Sequence, residues 1–150
     1  MTSTTASRVL GEPASAVFDH LTTLTAHESL IPFTRITARP APAQVGDTIV
    51  AVSARWVRDV MIVTRADPPD DGPPPRPGVA VFEKVGPLLL GVARIVVIPL
   101  GPTTCRVDWT EDIVLAGPLR AVHPLLAPAM QLMTARALQR VEASLRPAPR

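Results

Sequence analysis

The stretch "CRVDWTEDIVL", Cys105 to Leu115, sorts by alternation into two faces. Arg106, Asp108, Thr110 and Asp112 fall on one side; Cys105, Val107, Trp109, Glu111 and Ile113 fall on the other. A period of two marks a β-strand with one face in solvent and one in a core. The core face carries a glutamate. An unpaired carboxylate in an apolar setting costs several kcal/mol or more. Burying one large apolar side chain returns only about 1.5–3 kcal/mol. Trp109 and Ile113 therefore cannot simply draw Glu111 into a dry core. It must be paired with a cation, protonated, or placed close to water in a cavity or at its mouth.

Working outward, "VAVFEKV" and "GVARIVVIP" precede this strand as further strands, joined by Gly/Pro turns such as "GPLLLG" and "LGPTT". Before them lie "FTRITA", "DTIVAVSARW" and "RWVRDVMIVTRA", with the break between the last two open, and a proline-dense loop, "DPPDDGPPPRPG", expected to be mobile and solvated. "TASRVLG" reads as a first strand. "EPASAVFDHLTTL" follows with helical spacing, its stripe formed by Ala14, Val17, Phe18, Leu21 and Leu24. Pro13 suits a first helical position. Thr25 and Glu28 have the spacing of a capping box for a short second helix, which Pro32 should end.

After Leu115 the period changes again. Val122, Leu125, Leu126, Ala129, Met130, Met133, Ala137, Leu138, Val141 and Leu145 make a long apolar stripe. Pro124 and Pro128 should confine the regular helix to the part after about Ala127. The expected class is α+β in a single domain, 1–150, with ends fraying over about 1–5 and 147–150. A curved antiparallel sheet of about six or seven strands must cover one face, and the C-terminal helix is the element long enough to do so.

The composition excludes several functions. The chain has 150 residues, 47% of them hydrophobic and 19% charged, with a net charge of +2. Its basic residues are dispersed arginines and one lysine, so no nucleic-acid-binding stripe is expected. A single cysteine, Cys105, rules out an intrachain disulfide and a cysteine-based zinc site. The three histidines lie far apart without ligand spacing, so no metal is expected. Neither a P-loop nor a G-x-G-x-x-G or G-x-S-x-G motif occurs, and no cofactor is expected. "VGPLLLGVARIVVIPLG" is too short and broken for stable membrane insertion. "MTSTTASRVL" lacks the layout of a signal peptide, so a cytoplasmic location is expected. A homodimer is left open.

The element order resembles the helix-grip fold of the START-like (SRPBCC) superfamily, which includes polyketide cyclase/dehydrase-like proteins, lipid-transfer domains and the birch-pollen allergen type. "RVLGEPASAVFDHLTTL" resembles that family's first strand and helix. "AHESLIPFT" is similar to its helix-to-strand segment, "VGDTIV" to the entry of its third strand, and "CRVDWTEDIV" to the strand before its final helix. The resemblance implies a cavity between sheet and C-terminal helix that takes a hydrophobic small molecule: a lipid, a polyketide or an aromatic. It equally accommodates a cyclase- or dehydratase-type enzyme using a cavity carboxylate as acid or base. Fold does not choose between carrier and catalyst.

For the catalytic reading the candidates are Glu111, Asp59 and Arg94. Arg94 lies opposite Trp109 on the cavity face in one hairpin register, and opposite Asp108 on the outer face after a slip of one. Asp59 shares a face of its strand with Val57, Met61 and Val63, and which face points inward is open. Because the chain has no tyrosine, a phenol cannot serve as acid. Lys84 is the one lysine and is expected on a solvated strand face. His27, Phe33, Trp56, Met61, Trp109, Met130 and Met133 are the expected ligand-lining residues; for His27 and the methionines, first-turn exposure and ordinary packing are the competing readings.

Overall fold

The computed structural model describes residues 2–31 and 33–146. Its seven strands are β1 (Thr2–Leu10), β2 (Thr34–Thr37), β3 (Thr48–Ser53), β4 (Val57–Asp67), β5 (Gly78–Pro87), β6 (Leu89–Gly101) and β7 (Thr104–Leu115). They form one antiparallel sheet in the order β1-β7-β6-β5-β4-β3-β2. β2 to β7 are a continuous meander, while β1 returns to pair with β7. The chain must therefore cross from one sheet edge to the other between β1 and β2. It does so through helix α1 (Ala14–Thr22) and a 3-10 helix (Leu24–Ser29). A second 3-10 helix (Gly117–Val122) leads into the long helix α2 (His123–Leu145). The sheet curls as a half-barrel around α2.

The alternation seen in "CRVDWTEDIVL" holds without interruption: Cys105, Val107, Trp109, Glu111, Ile113 and Leu115 are all buried. Ala93, Ile95 and Val97 do the same on β6. α1 turns Ala14, Val17, Phe18 and Leu21 inward, and α2 turns Thr134, Ala137, Leu138 and Val141. Their apolar members meet in one core cluster, except Ile113 and Leu115, which line the cavity described below.

Several expectations need correction. β1 starts at Thr2, and Thr2–Thr5 of the stretch expected to fray pair with Thr110–Ile113 of β7. β-branched threonines favour strands, and the Thr5 and Thr110 hydroxyls meet at 3.0 Å. α2 begins at His123, before both prolines. Pro124 lies in the first turn, where its missing N–H has no intrahelical partner to lose; Pro128 forfeits one bond, and the helix continues through it to Leu145. The Thr25–Glu28 capping box does not form, because the segment is a 3-10 helix without a side-chain cap. Glu28 instead accepts the Ile36 amide at 2.6 Å and ties that helix to β2. Pro32, its expected terminator, and the tail 147–150 lie outside the described residues. "GPLLLG" is mostly strand rather than turn, since β5 runs to Pro87 and β6 starts at Leu89. The proline-dense loop is tied rather than loose: Asp70 and Arg76 exchange backbone hydrogen bonds of 3.0 and 2.8 Å and pair through their side chains.

Candidate functional site

Between the sheet and the N-terminal half of α2 lies a cavity of about 470 Å³. Its walls are mostly apolar, from β2–β7, both 3-10 helices and α2. Leu119, Val122 and Met133 line it while staying more than a third exposed, so the cavity meets solvent there. Met130 lines it a turn away, and Met61 from β4. Into this wall come His27, Asp59, Lys84, Trp109 and Glu111.

Glu111 reaches the cavity because β7 keeps its period of two. It stands opposite Ala93 on β6. Trp109, the preceding inward residue, donates its Nε1–H to Glu111 Oε1 at 2.8 Å. Oε2 is buried and has no hydrogen-bond partner among the described residues. Burial pushes the Glu111 carboxyl above its ordinary pKa; the charge of Lys84 and the Trp109 hydrogen bond oppose the rise, and the charges of Asp59 and Asp112 add to it.

β4 turns Asp59 inward, where it is 7% exposed. Its Oδ2 accepts a short hydrogen bond from Lys84 Nζ, while Oδ1 is buried and unpartnered among the described residues. Lys84 Nζ also lies 3.5 Å from the Met61 sulfur. A register shift between β4 and β5 pairs Met61 with Lys84 but Val60 with Gly86, leaving Val85 as the extra residue of a bulge. On β6 the residue opposite Lys84 is Gly91, where φ is +130° and a Cβ would sit 2.0 Å from the Asp112 carbonyl oxygen. With glycine beside Lys84 and alanine beside Glu111, β6 puts no bulky side chain between the two polar groups.

His27 is buried in the same wall. Its Nε2 lies 2.7 Å from the Leu21 carbonyl oxygen. A carbonyl only accepts, so Nε2 carries the proton of a neutral ring. The imidazole is 5.7 Å from the Trp109 ring, tilted by 46°. Desolvation lowers its pKa to about 4; the Leu21 hydrogen bond opposes this and His20 adds to it.

Of the residues expected from sequence, the structure brings His27, Asp59, Met61, Trp109, Glu111, Met130 and Met133 to one cavity. Arg94 is not among them. It pairs with Thr110 and points outward, exposed, because a bulge between Pro99 and Gly101 sets a register different from both simple alternatives. Phe33 and Trp56 are also outside, 88% and 86% exposed. Phe33 has φ of +59° at the entry to β2, and Trp56 follows Ala54 and Arg55, both with positive φ, in the β3–β4 turn. Thr34, Ser53 and Val57 take the adjacent inward positions.

The basic group of the cavity is Lys84, expected on a solvated face. The signal was the parity of "VAVFEKV": Phe82 and Lys84 share a face, and Phe82 is 3% exposed. Cys105 is fully buried, with its thiol pushed up to about 11, chiefly by burial and further by Asp71 and Glu12. Such a thiol is unreactive. No group of three His, Cys, Asp or Glu side chains suited to a metal occurs among the described residues. No helix among them is long and apolar enough to cross a membrane.

No family model and no curated protein matches the chain by sequence. Its structure is similar to several solved ones. A hypothetical protein of Helicobacter pylori superposes with a TM-score of 0.76 at 13% identity, over 97% of this chain and 88% of that one. A START superfamily protein of Mycobacterium smegmatis gives 0.69 at 14% identity, over 96% and 99%. Norcoclaurine synthase of Thalictrum flavum, solved with dopamine and hydroxybenzaldehyde, gives 0.63 at 11% identity, over 97% and 88%. The chain has the START-like helix-grip fold.

Proposed function

We propose that this protein binds a hydrophobic small molecule (a lipid, polyketide or aromatic) in the cavity between the sheet and α2. The observation that carries this reading is a mostly apolar chamber of about 470 Å³ whose wall carries the Asp59–Lys84 ion pair and Glu111, which feels both their charges. Ligand sites typically have this form, an apolar volume of a few hundred Å³ with a small number of convergent polar groups. The aromatic molecules bound to norcoclaurine synthase are consistent with it. A thermal-shift screen with fatty alcohols, fatty acids and polycyclic aromatics tests the reading. A ligand at a hundred times its Kd should add about 2.7 kcal/mol, raising Tm by roughly 5–10 °C for a chain of this size. A flat response across the whole panel would refute it.

A second reading, a cyclase- or dehydratase-type enzyme, draws on the raised pKa of Glu111. A carboxyl whose protonated form is favoured by burial, beside an ion pair, is suited to donate a proton to a bound carbonyl or leaving hydroxyl. Under this reading Glu111→Gln abolishes turnover of a polyketide-like substrate while the protein stays folded. Unchanged turnover would leave binding alone.

A further inference from the structure

We infer that the ligand's buried end carries a hydroxyl group, as an alcohol or a phenol, docked at the Asp59–Lys84–Glu111 corner. The inference rests on the ligand-binding reading above and concerns the head group that this site selects. Two carboxylate oxygens, Asp59 Oδ1 and Glu111 Oε2, are buried at the cavity wall with no partner among the described residues. Each belongs to a side chain more than nine-tenths buried. Their sister oxygens are engaged, Asp59 Oδ2 by Lys84 and Glu111 Oε1 by Trp109.

The charges at the corner indicate what should fill it. Asp59 and Lys84 neutralise each other as an ion pair. Glu111 is buried with no cation in ion-pair contact among the described residues, which favours its protonated form, and because Oε1 already accepts from Trp109, the position open to a proton is Oε2. The corner therefore offers one acceptor, Asp59 Oδ1, and one donor, Glu111 Oε2–H. A hydroxyl group is the smallest neutral group that both accepts and donates. A hydrocarbon leaves both protein atoms unsatisfied, and a ketone leaves Asp59 so. A carboxylate brings acceptors and a negative charge against Asp59, whose cation is already shared. An ammonium leaves an uncompensated positive charge unless Glu111 ionises against its burial.

The test uses three molecules on one skeleton, naphthalene, 2-naphthol and 2-naphthoate, titrated calorimetrically at pH 7 into the full chain. An engineered apolar cavity of about 150 Å³ accommodates one benzene, so a two-ring skeleton is well within the larger chamber here. The naphthol should bind at least about tenfold tighter than either companion, as expected where a buried polar site rejects an analogue lacking the matching group. In Glu111→Met the advantage over naphthalene should shrink while naphthalene itself still binds. In Glu111→Gln, which keeps a donor at that position, the advantage should persist; this variant decides the matter if the methionine variant fails to fold. Equal binding of naphthol and naphthalene, or tighter binding of the naphthoate, overturns the hydroxyl assignment and leaves ligand binding standing. Binding by none of the three counts against the cavity reading itself.

Discussion

At Cys105 and Val107 the inner face of β7 is wholly shut off from solvent, in one apolar cluster with Val17, Phe18 and Leu21 of α1 and Leu138 and Val141 of α2. A few residues on, at Trp109, Glu111 and Ile113, the same face borders the cavity. The strand and its alternation are common to both ends. What differs is the opposing layer. One end lies under α1 and the C-terminal half of α2, and its space is filled. At the other, the facing residues are Leu126, Ala129, Met130 and Met133 of α2 and the two 3-10 helices, which leave a chamber. Filled packing suits stability, whereas a chamber admits polar groups that a dry core would reject. Asp59, Lys84 and Glu111 all lie at the hollow end.

The sharpest way to break this contrast is at the ion pair. Lys84→Met leaves the buried Asp59 without its cation and should destabilise the fold by about 3–5 kcal/mol. Adding Asp59→Asn to the same chain should recover much of that loss. Urea unfolding of the two variants checks both expectations; a small effect of Lys84→Met would mean that Asp59 is well solvated.

The second comparison takes one truncation from each end. Leu138→Ala, at the filled end, should cost about 2–5 kcal/mol, because a closely packed site cannot collapse around the missing atoms. Met130→Ala only enlarges a space already present and should cost less than about 1.5 kcal/mol. Similar midpoints for the two variants would show that both ends are packed alike.

The smallest effects are the titrations of the hollow end, which oppose each other. His27 has its pKa lowered from 6.5 to about 4, so its contribution is complete above pH 6.5 and is lost as pH falls towards 4. Its imidazole should remain neutral at pH 5 by NMR. Glu111 has a raised pKa, so its contribution is present below about pH 4.5 and is lost as pH climbs through the folded value. Glu111→Gln should therefore unfold at higher denaturant than the native chain at pH 7, and at nearly the same denaturant at pH 4. A destabilised Glu111→Gln at pH 7 would mean that the ionised form is favoured in the fold.

Local periodicity determined much of this molecule. The period of two in β7 put Glu111 on the buried face, and the helical stripe after Leu115 identified the element that the sheet encloses. The parity of "VAVFEKV" held Lys84 on the face of Phe82, although a lysine by itself suggests solvent. These features are legible because side-chain direction within one element depends only on neighbouring residues. Partners across strands depend on register, and register here is set by shifts at Thr64, Val85 and Leu100, single extra residues that leave little mark in composition. The shift at Leu100 sets Arg94 opposite Thr110 on the outer face, and the shift at Val85 sets Lys84 opposite Met61, within reach of Asp59. Turn geometry likewise carried Phe33 and Trp56 into solvent. The chain alone thus determined which residue types line each face. Only the tertiary structure decided which charges meet, because that depends on where separate elements stop against one another.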